Sequence, residues 1–322
     1  MSVMNVRRRL IPAAVASALG LGALTACSSD SAATGNTDKF DVVASFYPMA
    51  FLAQQIGGDH ANVTSLTEPG QEPHDLEIST KQRAQLEEAD AALYLKGLQP
   101  AVDEAVGQTG IKTKIDAATL THLEDHGTGG HSHEGEEAHA EEHSDEEENG
   151  RDPHVWLSPV KYAEIAQGVG KAFEKADPDH AADYKKNTEA LVTKLKGLDS
   201  DFENGLRNTK TKVFFTNHAA FGYLAERYGL TQEAISGVDP DSEPSGARVR
   251  ELQQEAKADG VTTVFYETLV SDKTAKTLAR DANLRTDVLD PIEGITDTSR
   301  GDDYFQVMEA NLKALQKALG AK

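Results

Sequence analysis

Seven of the chain's eleven histidines fall between His122 and His154, and no Lys or Arg occurs between Lys114 and Arg151. Six of the seven, His122, His126, His131, His133, His139 and His143, are interleaved with carboxylates. Neutral imidazoles beside carboxylates are the donors that a borderline divalent cation such as zinc takes, and a His-rich tract points to that chemistry by composition. The stretch offers no apolar face, so ordering it would cost backbone entropy without return. It is expected to be a mobile loop whose six histidines bind zinc weakly and secondarily. Within it, His139-Ala-Glu-Glu-His143 matches the H-x-x-E-H pattern of one metallopeptidase class, which works only on a packed helix presenting both imidazoles to one metal. No Leu, Ile, Val or Phe lies nearby, so the match is accidental.

Outside the loop, His60 and His180 occupy turn and first-turn positions and read as surface groups. His74, His154 and His218 share another context, each just beyond a strand or at the start of a helix. His74 follows the strand-like Asn62–Thr67, and His218 follows Lys212–Thr216 with only Asn217 between. His154 comes between the loop and a helix opened by Pro159. In open α/β sheets, ligands bind at the carboxyl ends of the strands. Pro73 and Pro153 stiffen the backbone before two of the three, which lowers the entropy lost when those ligands are fixed. Asp152 and Glu72 are the nearby carboxylates that could orient the imidazoles.

To place these residues the chain must alternate strands and helices, and it does. Strands are predicted at 40–46, 62–67, 91–95 and 112–117, with helices at 49–57, 79–88 and 101–106 between them. Ser79 or Thr80 is the cap of the second helix. A helix from Pro159 to about Lys175 is followed, from Asp177 as N-cap and Pro178 as first helical residue, by one running to about Asn208. Its apolar positions are Tyr184, Leu191, Leu195, Leu198, Phe202 and Leu206, and its length of roughly 45 Å exceeds what one small lobe needs. Strands at 212–216, 232–237, 262–266 and 286–290 then alternate with helices at 218–229, 246–258, 272–282 and 302–319. The fold class is α/β: two similar α/β lobes joined by one long linking helix, with the metal site in the interlobe cleft. The divisions are a signal peptide (1–26), a flexible linker (27–38), an N-terminal lobe (39–177) containing the loop 122–150, the linking helix (178–208) and a C-terminal lobe (209–322). Strand order is not legible.

A length of 322 residues suits about two domains. The formal charge of −21 argues against nucleic acid as a partner, and twelve of the acids lie between Asp116 and Glu148. At the N-terminus, Arg7, Arg8 and Arg9 precede the apolar run Leu10–Ala26, too short for a comfortable permanent span. Leu24-Thr25-Ala26-Cys27 resembles a lipobox, which implies cleavage before Cys27 and lipid on its thiol. Cys27 is the sole cysteine, so no intrachain disulfide can form.

Four motifs in order, EPGQEPHDLE (68–77), DPHVWLSP (152–159), HAAFGYLAERYGL (218–230) and LDPIEGI with GDDYFQVMEANL (289–295, 301–312), resemble the zinc- and manganese-binding solute-binding proteins of bacterial ABC importers (cluster A-I). The resemblance implies two lobes, a rigid linking helix, and metal ligands at His74, His154 and His218. It implies a fourth, carboxylate ligand at Glu293, with Asp290 as the competing residue. The His-rich loop and an imidazole at position 218 favour Zn2+ over manganese. The implied partners are an ABC permease and its ATPase subunit. The implied setting is a monomer, lipid-anchored to the outer face of the cytoplasmic membrane, without enzymatic activity. Gln99 stands where the family carries a Glu. The alternatives are a manganese-type receptor, an adhesin or metal buffer, and a secreted zinc hydrolase, which would need an open metal position and a placed base.

Overall fold

The structure, a computed structural model, describes residues 39–126 and 151–321, all within one compact unit. The segment 1–38 with Cys27, and the histidines His131, His133, His139 and His143, lie outside the described residues. The first lobe runs β1 (Phe40–Ala44), α1 (Tyr47–Gly57), β2 (Ala61–Ser65), α2 (Thr80–Glu88), β3 (Ala91–Tyr94), α3 (Pro100–Gln108) and β4 (Thr113–Asp116). After α4 (Pro159–Ala176) and α5 (Ala181–Leu206), the second lobe runs β5 (Val213–Thr216), α6 (Gly222–Tyr228), β6 (Thr231–Ala234), α7 (Gly246–Ala258), β7 (Thr263–Tyr266), α8 (Lys273–Asp281), β8 (Arg285–Val288) and α9 (Tyr304–Leu319).

The two sheets repeat one topology, β2-β1-β3-β4 and β6-β5-β7-β8, with every neighbouring pair parallel. A parallel sheet needs helices on both faces, and strand residues therefore alternate between two cores. Val42 faces the large central core and Val43 a smaller outer one; Phe214 and Phe215 divide the same way in the second lobe. The central core is continuous across both lobes, from Phe40 and Met49 through Trp156 and Tyr162 to Phe214, Tyr304 and Leu315. The strands also run with their carboxyl ends toward the loops that carry His74, His218 and Glu293.

Local chemistry explains the helix ends. Ser79 caps α2 in a full capping box with Gln82, satisfying two orphan backbone groups reciprocally. Gly229 ends α6 at φ 62°, a left-handed cap that glycine adopts without strain. Asp177 departs from expectation. Its carboxylate accepts from Tyr184 Oη at 2.6 Å and pairs with His180 Nδ1 at 2.8 Å instead of capping backbone N–H groups, and Pro178–His180 is a separate 3-10 turn before α5. The 26 residues of α5 span about 39 Å and bury the expected stripe plus Thr188, whose hydroxyl donates to the Tyr184 carbonyl at 2.7 Å. α6 also starts later than its pattern suggests, at Gly222. The preceding His218–Phe221 is a non-helical bend tied down by Gln232, which accepts from the Phe221 N–H at 3.0 Å and donates to the His218 carbonyl at 2.9 Å.

The lobes are joined by hydrogen bonds as well as by apolar packing. Trp156 Nε1 donates to the Pro291 carbonyl at 2.7 Å, and Tyr304 Oη to the Trp156 carbonyl at 2.6 Å. Rings of Phe51 and Tyr162 lie 5.5 and 4.8 Å from that of Tyr304. Trp156→Phe would keep most of the packing and leave the buried Pro291 carbonyl without its donor. It is expected to cost about 1–3 kcal/mol, read as a lowered urea midpoint with an unchanged denaturant slope.

Candidate metal centre

Each of the four predicted cleft residues is delivered by the end of a different element. His74 sits between β2 and α2, behind buried Pro73, and its backbone N–H donates to Glu72 Oε1 at 3.0 Å. His154 precedes the 3-10 turn Val155–Leu157 that leads into α4. His218 comes two residues after β5, and Glu293 follows β8. The Glu293 side chain is fully buried, as are those of His154 and His218 to within 1%, whereas His74 retains 12% exposure. His74 is therefore the cluster member nearest the surface, although its Nε2 is itself buried.

The donor atoms converge on one point. Glu293 Oε1 lies 3.2 Å from His154 Nε2 and 3.5 Å from both His74 Nε2 and His218 Nε2. Tetrahedral coordination with bonds of 2.0–2.1 Å has edges of about 3.4 Å, so these separations match a zinc-sized tetrahedron. Of these atoms His74 Nε2 and His218 Nε2 are buried without a hydrogen-bond partner, as is the second carboxylate oxygen Glu293 Oε2, while His154 Nε2 and Glu293 Oε1 face each other at 3.2 Å.

Carboxylates behind two of the rings set their tautomer. Asp152 Oδ1 accepts from both the backbone N–H and the Nδ1–H of His154, at 2.9 and 2.8 Å. Glu267 Oε1 accepts from His218 Nδ1–H at 2.7 Å and also from the Asn217 amide. With Nδ1 protonated, each Nε2 presents its lone pair to the cleft. Asp152 was foreseen from sequence; Glu72 orients the backbone of His74 and not its ring. Glu267 was missed, although it follows the strand pattern TTVFY at a carboxyl end just as His218 follows its own.

A turn carrying backbone strain presents Glu293. Ile292 has φ 60°, a conformation that β-branched residues rarely adopt and that costs about 1–3 kcal/mol. Asp290 fixes it, accepting from the Ile292 N–H at 2.8 Å while its other oxygen takes the Thr268 hydroxyl at 3.1 Å. Thus Asp290 shapes the turn and Glu293 joins the imidazoles.

Electrostatics favour one positive charge above Glu293. Burial alone would raise its pKa, but the facing imidazoles of His154, His218 and His74 outweigh that and hold it well below the usual carboxylate range. Burial likewise pushes His154 and His218 down. The bonds to and charges of Asp152 and Glu293 reverse this for His154, and those of Glu267 and Glu293 for His218, so both shift upward. The carboxylates of Glu72 and Glu267 also approach Glu293. Burial first, and the Glu293 charge second, raise Glu72 to about 9, so it stays protonated at neutral pH and does not compete as an anionic donor.

Two loop histidines fall within the described residues. His122 is exposed and its carbonyl accepts from Lys161 Nζ at 2.9 Å. His126 is docked against the fold, unlike a mobile-loop residue, because Asp152 and Tyr223 hold its surroundings: Nδ1 pairs with Asp152 Oδ2 at 2.8 Å, and its ring stands edge-on to Tyr223 at 4.3 Å. His60 and His180, expected at the surface, are about one-third exposed and stack on each other at 4.1 Å.

Comparison with known proteins agrees with this geometry. The family model described as zinc-uptake complex component A, periplasmic (ZnuA) matches residues 42–318. The zinc-binding lipoprotein AdcA of Streptococcus pneumoniae serotype 4 is 38% identical over 300 residues, covering 91% of this chain and 58% of that protein, so the chain spans little more than half the length of the first relatives it matches. The high-affinity zinc uptake system protein ZnuA of Bacillus subtilis is 35% identical over 319 residues, covering 94% of this chain and 98% of the relative. The crystal structure of the Zn(II)-bound ZnuA-like domain of Streptococcus pneumoniae AdcA matches with a TM-score of 0.71 at 35% identity, covering 87% of this chain and 99% of that one.

Two outcomes are expected from this arrangement. Glu267→Gln removes the anion behind His218 and should weaken zinc binding about 10–100-fold, measured by competition with a chromophoric chelator. Because the upward-shifted imidazoles hold protons that a metal must displace, affinity should fall as pH is lowered. Titration calorimetry in buffers of differing ionisation enthalpy should show net proton release.

Proposed function

The chain belongs to the family of periplasmic zinc-uptake component A, ZnuA, and from that premise we propose that it is an exported zinc receptor that delivers Zn2+ to an ABC importer. Its ligands are His74, His154, His218 and Glu293. The observation that carries this reading is the convergence of three Nε2 atoms on Glu293 Oε1 at 3.2–3.5 Å. Four protein donors would close a tetrahedral site. A closed site suits capture and release of an ion, whereas catalysis by zinc needs an open position. The imidazole-rich set also favours zinc over manganese, which tolerates carboxylate and water better.

The zinc ion is the cargo. A permease and its ATPase subunit are the partners this role requires, and the family premise supports both. The lipobox-like Leu24-Thr25-Ala26-Cys27 supports lipid attachment at Cys27 and a position on the outer face of the membrane. The relative from Streptococcus pneumoniae named a zinc-binding lipoprotein is consistent with that placement.

Protein purified without added metal should carry one equivalent of zinc in preference to manganese. Replacing any one of the three histidines by Ala should weaken that equivalent by more than the roughly 10–100-fold that an orienting group contributes. Zinc at about 1,000 times Kd should stabilise the wild type by about 4 kcal/mol, and His218→Ala should lose most of this gain in a thermal melt. A tight equivalent retained in all three single variants would defeat the ligand assignment.

A further inference from the structure

Asp152 is buried and uses both carboxylate oxygens on imidazoles: Oδ1 on His154 and Oδ2 on His126, each at 2.8 Å. His154 faces the cleft. His126 faces the opposite way, and its Nε2 lies 3.3 Å from Glu226 Oε2 of α6. Glu124, two residues earlier in the chain, completes a set whose ligand atoms all lie within 4.8 Å of one another. We infer that Glu124, His126 and Glu226 form a second divalent-cation site, suited to zinc, on the far side of the Asp152 carboxylate from the cleft.

Three features show that this imidazole is built into its place. Gly222 leaves room for it, since a Cβ at that position would overlap the His126 ring. Tyr223 stands edge-on to the ring at 4.3 Å, and its hydroxyl accepts from the Glu124 N–H at 2.8 Å and donates to the Asp152 carbonyl at 2.7 Å. The backbone N–H of Asp152 then donates to the Glu124 carbonyl at 2.9 Å, so the segment bearing Glu124 and His126 is fixed. A carboxylate on Nδ1 that leaves Nε2 facing outward is the arrangement that metal-ligating histidines use, and Asp152 applies it to both rings at once.

Charge points the same way. Glu124, Glu226 and Asp152 bring three carboxylates around one ring, and the neighbouring cation is Lys161, 2.7 Å from Glu124 Oε1. A divalent cation would neutralise the remainder. One imidazole and two carboxylates leave coordination positions to water, and the Glu226 side chain is 54% exposed. The second site is therefore weaker and faster to exchange than the four-donor cleft. It joins the lobes, since His126 and Glu124 precede α4 while Glu226 belongs to α6. The inference extends the reading of His126 as a secondary zinc ligand and does not depend on which residues bind zinc in the cleft.

The test uses the full chain with His131, His133, His139 and His143 each replaced by Ala, so that those imidazoles do not contribute. Zinc alone is titrated by calorimetry into this background, into the background with Glu226→Gln or His126→Ala, and into the background with His218→Ala. The background should bind a tight equivalent and a weaker one. Glu226→Gln, an exposed change that keeps an acceptor for His126, should weaken the second equivalent by more than the roughly 10-fold that an orienting group contributes at least and leave the first unchanged. His126→Ala should abolish the second. A zinc-edge anomalous map should place a peak among Glu124, His126 and Glu226. A second equivalent indifferent to both substitutions, or no second equivalent at all, would overturn the proposal and make the three residues an ion-pair latch between lobes. The His218→Ala arm reports on the cleft separately: loss of the tight equivalent with the weaker one retained supports two sites, and an unchanged tight equivalent counts against the cleft ligands alone.

Discussion

The carboxylate of Glu293 lies at zero exposure beneath three imidazoles, and burying an unpaired anion costs several kcal/mol. That cost is offset only when positive charge is held against it, as protons on the rings or as a metal ion among them. The surrounding structure serves this one juxtaposition. Ile292 takes a strained left-handed conformation so that Glu293 turns inward, and Asp290 and Trp156 grip the turn from either side. Asp152 and Glu267 stand behind two of the imidazoles and keep their Nε2 atoms aimed at the same point. Losing any of these supports would loosen an arrangement whose components are costly to keep together without each other.

The repeated sheet topology helps bring the His/Glu cluster together from two lobes, because the loops bearing His74, His218 and Glu293 follow carboxyl ends of parallel strands. Packing then fixes the spacing. The central core is continuous through Trp156, Tyr162 and Tyr304, and α5 and α9 press against each other, Gln316 Nε2 donating to the Gly205 carbonyl at 3.3 Å. A site preformed by a shared core loses little entropy on binding, since ordering has been met at folding.

Much of this was legible from residue pattern. The helix 246–258 and the strand 262–266 appear within a residue of their expected bounds, and Ser79, one of the two cap candidates, caps α2. These signals are local, carried by caps and periodicity. The three histidines were legible because each follows a strand or opens a helix. What failed to show depends on contacts distant in sequence. Asp177 has the identity of a backbone cap, yet the Tyr184 hydroxyl and the His180 ring claim its carboxylate. The first residues of the helical pattern at 218–229 are diverted by Gln232, a buried amide from β6. Glu267 is 49 residues from the ring it orients, and no periodicity links the two. Strand order depends on crossovers that local sequence does not specify.

The position of Asp152 shows how a single buried carboxylate can hold a cleft ligand and a surface imidazole at once. It is nearly inaccessible, so a bare anion there would be poorly solvated. Burial would raise its pKa, but the hydrogen bonds from His126 and His154 more than reverse this and keep it ionised. Two imidazoles are therefore needed to satisfy its two oxygens, and only one of them can face the cleft. The other must face outward, where Tyr223 and Gly222 fix its ring against α6. Side-chain exposure falls along this chain of contacts, from 54% at Glu226 through 17% at His126 and 4% at Asp152 to zero at His154. Screening by water and salt weakens at each step inward, so the same side-chain types meet very different electrostatic environments at the rim and in the cleft.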